Sequence, residues 1–502
     1  MTSASPTESA SALPVADLAV VGAGPAGLAA AATALAGGLT VVLVDAGHSP
    51  GGQFWRQPAP GAQVSGTEGL HHDLPTFAAL IATLQRHERA GSLIRLAGHH
   101  VWTLEAGDPV TLYAVDRSGR PGTERPRTIR ASRLLIATGA YDRPMPFPGW
   151  DLPGVLTVGG LQALLKGGGV AAGHRVVVAG TGPFLLPVAA GLAERGSRVV
   201  VCEAGHPSAW GRHLAAVAAL PDKLVEGMGY AAQLVRARVP VHLRTVVVAA
   251  HGADRVEAVT LARVDADGRV RPGTERRVEA DVVGIGWGFE PQLDLAVTVG
   301  CRLRPAAAYG SSVGGQANPS APAALESPVV WVDDGQWTSV SGVLAAGEVC
   351  GVGGAALALR EGQLAAESVL ADLGLPAATN RDDLRLVRRI VARHRRFAAA
   401  LQQAHPVRAR LLEALPEDTT VCRCEQVRAG AITEAVAQGA TDVRQVKQLT
   451  RAGMGWCQGR ICGPAVHALL AASGGGVPRV PTERLVAAPV PLRVLAGLSE
   501  EA

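Results

Sequence analysis

DLAVVGAGPAGLAAAATALAGGLTVVLVDA, residues 17–46, has the punctuation of a strand, a glycine turn, a helix and a second strand. Leu18–Val21 is apolar and β-branched. Gly22, Gly24 and Gly27 make a G-x-G-x-x-G turn, with Pro25 and Ala26 inside it, and Leu28–Ala36 continues as a small-residue helix. Gly37 and Gly38 stop that helix, Thr40–Val44 is the next strand, and Asp45 and Ala46 close it. Each glycine has a separate task in dinucleotide binding. Gly22 allows the tight turn, Gly24 lets the backbone approach a pyrophosphate, and Gly27 lets helix and strand pack closely. The helix N-terminus offers free N–H groups and a positive dipole end to the phosphates. An acid after the second strand bonds the hydroxyls of an adenosine ribose. A lone glycine turn is weak evidence; this one has the strand before it, the helix behind it and the acid in place.

Leu18–Val44 contains no charged residue and is long enough for a membrane span. Its glycines, and its change from two-residue to 3.6-residue periodicity, point instead to a buried βαβ unit, and Val176–Ala193 fails as a span for the same reason. No transmembrane segment is expected. A chain of 502 residues implies two to four domains. Its abundant glycine and alanine, with only 4% aromatics, suit close-packed α/β layers. The net charge of +4 is small, and Lys166, Lys223 and Lys447 are the only lysines beside many arginines, so no nucleic-acid partner is inferred. Residues 1–16 read as a disordered leader without the basic region of a signal peptide. Seven cysteines, four of them near the C-terminus, suggest a metal or redox role in a reducing compartment rather than a disulfide framework.

After Asp45, Gly51-Gly52-Gln53 lets the backbone pass close to a bound cofactor, with Gln53 and Arg56 able to reach its polar parts; a plain loop is the alternative. Residues 74–90 form an amphipathic helix with Phe77, Leu80, Ile81 and Leu84 on one face. His71 and His72 precede it in a solvated loop. Strands are expected at Val101–Leu104, Thr111–Val115 and Leu134–Ala137, with a hairpin turn over Asp116–Arg127. A second unit repeats the opening plan: strand Arg175–Ala179, turn Gly180-Thr181-Gly182, helix Leu185–Glu194, strand Arg198–Cys202, then Glu203. Here the third glycine position is Leu185, which pushes helix from strand. A nucleotide site and a retained scaffold both remain open for this unit. Strands near Val241–Ala249, Val256–Ala262 and Asp281–Ile285 complete it, and residues 305–328 read as a surface insertion or mobile loop. Further on, Thr338–Ala346 is a buried strand ending in Gly347-Glu348, with a helix over Ala355–Leu370; an acid there fits a bond to a ribityl or ribose hydroxyl.

Gly22-x-Gly24-x-x-Gly27 with Asp45, Ala137-Thr138-Gly139, and Thr338 through Gly347-Glu348 resemble the three FAD motifs of the two-dinucleotide-fold disulfide reductase superfamily. The last motif there usually ends in Asp; Glu348 keeps the carboxylate one methylene further out. The superfamily's redox-active cysteine pair is absent. Cys350 stands alone after Glu348 and, like Cys202 and Cys301, reads as a small core residue.

Residues 381–404 read as a basic amphipathic helix, with a short helix bracketed by Pro406 and Pro416. Cys422-x-Cys424 and Cys457-x4-Cys462 follow, with short helices at Ala431–Ala437 and Asp442–Leu449 between them. Gly463-Pro464 opens a last helix. Zinc pairs usually have two to four spacers. The unequal C-x-C and C-x4-C pairs suit the larger [2Fe–2S] target better, and Gly453, Gly455, Gly459 and Gly463 offer N–H groups to its sulfides. Structural zinc and free cysteines are the alternatives. Residues 417–475 resemble the BFD-like [2Fe–2S] domain. GMGWCQGRICGP, with Gly51-Gly52-Gln53, Arg56-Gln57, Ala137–Pro144 and Gly180-Thr181-Gly182-Pro183, resembles its version fused to the FAD-containing α-type subunits of bacterial amine and amino-acid dehydrogenases: opine oxidase, hydrogen cyanide synthase, and hydroxyproline or proline dehydrogenases.

The implied organisation is α/β. An FAD-binding domain spans 17–150 and 291–378, a second NAD(P)-type dinucleotide domain 151–290, a helical linker 379–416, the [2Fe–2S] domain 417–475 and an extended tail 476–502. A flavin handles electron pairs and a two-iron cluster single electrons, so the chain reads as a two-to-one electron converter. The resemblance implies a partner, an FAD-containing β-type oxidase subunit that oxidises a C–N bond. Electrons would pass through this chain to a respiratory electron acceptor, in a cytoplasmic protein at most peripheral to the inner membrane. The alternatives are a stand-alone NAD(P)H-dependent flavin reductase, against which Leu185 speaks, and a non-catalytic assembly or sensor subunit.

Overall fold

A computed structural model describes residues 13–62, 64, 66–306, 327–473 and 486–498. The opening stretch forms β1 (Ala16–Val21), α1 (Pro25–Ala36) and β2 (Val41–Asp45). The first strand takes in Ala16, which the sequence placed in the leader. Helix α2 (Leu74–Arg89) leads to β3 (Leu93–Ala97), β4 (His99–Glu105), β5 (Val110–Asp116) and β6 (Arg125–Ile136). These strands form one sheet in the order β3-β2-β1-β6-β5-β4. Its β1 and β2 are almost wholly buried because both faces are covered, hence their unbroken apolar runs.

The long β6 joins two layers. Its first half pairs antiparallel with β5, and its second half pairs parallel with β1. The sequence reading captured only the second half, because Arg125-Pro126-Arg127-Thr128 has the composition of a turn. It missed β3 altogether.

Strand β7 (Ala140–Asp142) leads into the second unit: β8 (Val155–Thr157), α3 (Val158–Gly168), β9 (Arg175–Gly180), α4 (Leu185–Glu194), β10 (Arg198–Glu203), α5 (Leu214–Ala218), α6 (Pro221–Arg236) and β11 (Val241–Leu243). The single strand expected over Val241–Ala249 is in fact two. Arg244, at φ 49°, turns the corner from β11 in the parallel sheet to β12 (Thr245–His251) in an antiparallel one. Strands β13 (Ala258–Arg263) and β14 (Arg276–Glu279) complete that three-stranded sheet. Then β15 (Val282–Gly286) returns to the parallel sheet, whose order is β11-β10-β9-β15-β8. Strand β16 (Phe289–Pro291) pairs antiparallel with β7, so the outgoing and returning crossings lie side by side.

The chain re-enters the first unit through α7 (Asp294–Thr298), β17 (Leu303–Pro305) and β18 (Pro328–Val330). Most of the expected insertion over 305–328 lies outside the described residues. Strand β19 (Val343–Ala345) pairs parallel with β6, and α8 (Ala355–Asp372) packs on α1. The two helices meet at Gly362, where a Cβ would lie 2.8 Å from the Ala26 carbonyl carbon. Helix α9 (Arg381–Ala404) buries Val387, Val391 and Ala398 against α8. Where a short helix was expected between Pro406 and Pro416, only a 3₁₀ turn forms, Ala409–Leu412.

The C-terminal segment contains β20 (Thr420–Cys422), β21 (Val427–Arg428), α10 (Ala429–Ala437), α11 (Val443–Thr450) and α12 (Gly463–Ala472). It is no tethered bead. Its Cys422, Val446, Val466 and Leu470 belong to one continuous core with Trp150 of the crossing and Val246 and Leu261 of the second unit. The tail is not wholly extended either: α13 (Leu492–Gly497) seats Val494 on Trp102 and Val115. No helix among the described residues is long and apolar enough to cross a membrane.

Candidate functional site

A cavity of about 1920 Å³ runs between the two dinucleotide units. Of the expected cofactor residues, Gly22, Gly24, Pro25, Ala26, Asp45, Ala46, Gly52, Gln53, Arg56, Ala137, Thr138, Gly139, Gly347 and Glu348 line it. Gly27 does not. A Cβ on Gly27 would lie 3.0 Å from the Gly22 carbonyl carbon and 3.2 Å from Val20 Cγ1, so this glycine serves helix–strand contact. Gly24 is the opposite case, with nothing within 4 Å of its Cβ position and the open N-terminus of α1 beside it.

Three separate stretches of chain close on this turn. A Cβ on Gly52 would meet Gly24 Cα at 2.9 Å, and Gly51 N–H donates to Ala23 O. Ala137 N–H donates to Val21 O, and a Cβ on Gly22 would meet the Ala137 carbonyl carbon at 2.8 Å. A Cβ on Gly347 would meet Ala26 Cβ at 2.9 Å. The Gly347 N–H donates to Glu361, a wholly buried carboxylate ion-paired with Arg395 at 2.8 Å. The sequence reads α9 only as a basic amphipathic helix; Arg395 turns inward from it and, through Glu361, fixes the Gly347-Glu348 corner.

Burial raises two acids of the cavity, Asp45 and Glu348. Burial raises the Asp45 carboxyl, and hydrogen bonds from Ala23 N–H and Gly47 N–H pull it back only in part. Burial pushes Glu348 up to about 7 against a weaker hydrogen bond from Gly354. One cation escaped the sequence reading. Lys166, on α3 of the second unit, is 4% exposed, lines the cavity and donates to Phe54 O at 2.7 Å. Burial, then the charge of Arg56, lowers it to about 8. The signal was present: Lys166 is one of three lysines and sits in an apolar, glycine-rich helix.

In the second unit, α4 starts three residues after its second glycine, whereas α1 starts one residue after Gly24. Pro183 and Phe184 form a turn instead, and Leu185 is buried. Glu203 accepts hydrogen bonds from Thr181 Oγ1 and from Gly182 and Gly205 N–H, with His405 Nδ1 at 3.7 Å. Burial pushes this carboxyl up, but His405, Thr181 and Gly205 outweigh it and hold it low. His405 comes from the far end of α9 and could not be assigned to this corner from sequence.

The four C-terminal cysteines meet in two pairs. Cys422 shares a hydrogen bond with Cys462, and Cys424 with Cys457. That bond holds the Cys422 thiol down at about 5 and pushes Cys462 up. Backbone N–H groups of Gly453, Cys424 and Glu425 also point at Cys422. No three His, Cys, Asp or Glu side chains among the described residues converge on a single-ion position. Two thiol pairs with N–H donors fit an anionic two-iron group better than one zinc. Gly463 differs from expectation, because its N–H donates to Gly459 O. The other cysteines lie elsewhere: Cys202, Cys301 and Cys350 are buried core residues outside the cavity wall.

The cysteine corner and the cavity are joined by Arg460, between Cys457 and Cys462. Arg460 lines the cavity and pairs with Asp294 at 3.0 Å. Two residues before Asp294, Gln292 accepts from Thr138 Oγ1 and donates to Gly139 O.

The family model for pyridine nucleotide-disulphide oxidoreductases matches residues 16–366, and that for the BFD-like [2Fe-2S] binding domain matches residues 420–472. An opine oxidase subunit of Rhizobium meliloti is 34% identical over 91% of this chain and 92% of its own. Hydrogen cyanide synthase subunit HcnB of Pseudomonas aeruginosa is 32% identical over 88% and 90%. Among solved structures, L-proline dehydrogenase from P. horikoshii shares the fold, with a TM-score of 0.63 at 19% identity over 96% of this chain and 79% of that one. This chain belongs to the pyridine nucleotide-disulphide oxidoreductase family, alongside the opine oxidase subunit and HcnB, as an FAD-dependent oxidoreductase with a C-terminal BFD-like [2Fe-2S] domain.

Proposed function

We propose that the chain is the electron-transfer subunit of a heteromeric amino-acid, opine or hydroxyproline dehydrogenase. Its partner is an FAD-containing β-type subunit that oxidises the substrate C–N bond, and its acceptor is respiratory. In this reading it is a cytoplasmic protein, at most peripheral to the inner membrane. The observation that carries the reading is the Arg460 bridge: the loop holding two cluster cysteines is also a wall of the flavin cavity. The relatives support it, since both are named as subunits.

In this reading the α1 N-terminus at Gly24, Pro25 and Ala26 takes the FAD pyrophosphate, Asp45 and Ala46 the adenosine ribose, and Glu348 a ribityl hydroxyl. Gly52, Gln53, Arg56, Thr138 and Gly139 line the remainder, and Cys422, Cys424, Cys457 and Cys462 hold the cluster. Bound there, the two groups supply exchange between electron pairs and single electrons. Arg460 and Asp294 keep the two sites in fixed relation.

Co-expression with a β-type oxidase subunit, followed by anaerobic addition of candidate amines and EPR of the iron–sulfur signal, tests the proposal. A stable complex whose cluster is reduced by amine is expected. A chain that stays alone and is not reduced by amine would end the reading. Rapid bleaching of the flavin by NADH without any partner would point to a stand-alone reductase, and a cluster that never changes redox state during turnover to a structural one.

A further inference from the structure

The cysteine corner has an inner and an outer side. Inward lies the Arg460 wall. Outward, Cys424 is exposed while Cys422 and Cys462 are buried. Gly455 packs on Cys424 so closely that a Cβ there would lie 3.0 Å from its Sγ. Its neighbours Met454 and Trp456 therefore flank the exposed cysteine. Trp456 is 71% exposed. A single exposed apolar residue needs no explanation. A tryptophan left open beside methionine at the rim of a redox centre has the composition of an interface centre, where aromatic residues, Met and Arg are enriched.

The border of this patch is basic. Arg444, Lys447 and Arg451 follow one another at i, i+3 and i+7, along one side of α11 and its C-cap. Arg451 is 68% exposed and bonds Glu425, the residue after Cys424, at 2.8 Å. A basic border raises the encounter rate with an acidic partner, and that gain falls with salt.

We propose that Met454 and Trp456 beside Cys424, edged by Arg444 and Arg451, dock a one-electron acceptor protein. Its contact surface is apolar at the centre and acidic at the rim. Electrons leave the chain through this face. The proposal rests on the electron-transfer reading above. In each encounter one electron crosses: the acceptor is reduced, the chain's cluster is oxidised, and no bond forms or breaks.

The experiment uses the full holo-chain, reduced anaerobically with dithionite and freed of excess reductant. It is mixed in a stopped-flow cell with oxidised plastocyanin, an acidic one-electron acceptor, or with oxidised cytochrome c, a basic one. The wild-type chain should reduce plastocyanin faster, with a rate that falls as salt rises. The Arg444→Glu/Arg451→Glu variant should lose about tenfold in rate with plastocyanin and gain with cytochrome c. Its iron content and EPR signal should match the wild type, which shows that the cluster is intact. Trp456→Ser should slow both acceptors at high salt, where charge no longer steers. Equal rates for both acceptors, unchanged by charge reversal, would overturn the proposal. So would hydroxyl-radical footprinting that finds Trp456 protected in the assembled heteromer, since the face would then be the subunit interface. If amine fails to reduce the cluster through the partner subunit, the electron-transfer reading itself falls. If amine reduces it and the two acceptors react alike, only the docking face falls.

Discussion

Alanine at Gly24 and alanine at Gly27 should separate cofactor binding from folding, although the two glycines stand three residues apart in one motif. Gly24 has φ −78° and ψ −175°, extended backbone open to any residue, and its Cβ position meets no atom within 4 Å. The deflavinated Gly24→Ala protein should therefore lose no more than about 1 kcal/mol, the scale of a cap change. The added methyl points into the cavity where the pyrophosphate must approach the helix. Overpacking of one methyl costs roughly 1–3 kcal/mol, so FAD should bind roughly 5- to 150-fold more weakly. Gly27→Ala reverses the pattern. Its Cβ would press on the Gly22 carbonyl and on Val20 Cγ1 at 3.2 Å, in a buried strand with no flexible chain to yield. The helix must move outward, at about 2–3 kcal/mol and a fall of roughly 5–10 °C in melting temperature. Urea unfolding of the deflavinated proteins reads the first quantity and calorimetric titration with FAD the second. Equal destabilisation by both variants, or wild-type FAD affinity in Gly24→Ala, would refute the division of roles.

Glu348 ionises at about 7 in the folded chain against an ordinary 4.5, so the folded state binds its proton more tightly than the unfolded state does. Stability of the deflavinated protein should then fall as pH rises from about 4.5 to about 7, by at most roughly 3 kcal/mol. Glu348→Gln should flatten that slope in urea midpoints taken at pH 5 and pH 7.5. Arg395→Met removes the guanidinium that pairs with the wholly buried Glu361 at 2.8 Å. It should cost about 3–5 kcal/mol and loosen FAD through the Gly347 turn, read by denaturation and by flavin retention on a desalting column. Cys457→Ser should abolish the EPR signal and lower iron and sulfide while leaving FAD content unchanged. Loss of flavin together with iron would contradict the separate sites.

Much of the fold is written locally. The β1–α1–β2 unit, the second glycine turn, helices α4 and α9 and the two cysteine pairs could all be placed from residue spacing, because each depends on neighbours within a few turns of chain. Helix α4 begins and ends where the apolar run does. Elements whose stability comes from elsewhere were missed. The first half of β6 is polar and is held by β5. Helices α3 and α6 carry internal glycines that lower helix propensity, yet tertiary contacts keep them helical.

The candidate site divides along the same line. Gly22, Gly24, Gly27, Asp45 and the four cysteines stand out in sequence, because dinucleotide and cluster binding call for those residue types at those spacings. Lys166 against Phe54, Arg395 beneath Gly347, His405 beside Glu203 and Arg460 against Asp294 do not. Each joins segments tens to hundreds of residues apart, and no periodicity links their positions. Sequence alone determined which groups this chain holds, through short motifs that shape the backbone around them. Only the folded chain decided that the cysteine loop forms a wall of the cavity between the two units and turns Trp456 outward, because that depends on how the C-terminal helices pack into the core of the second unit.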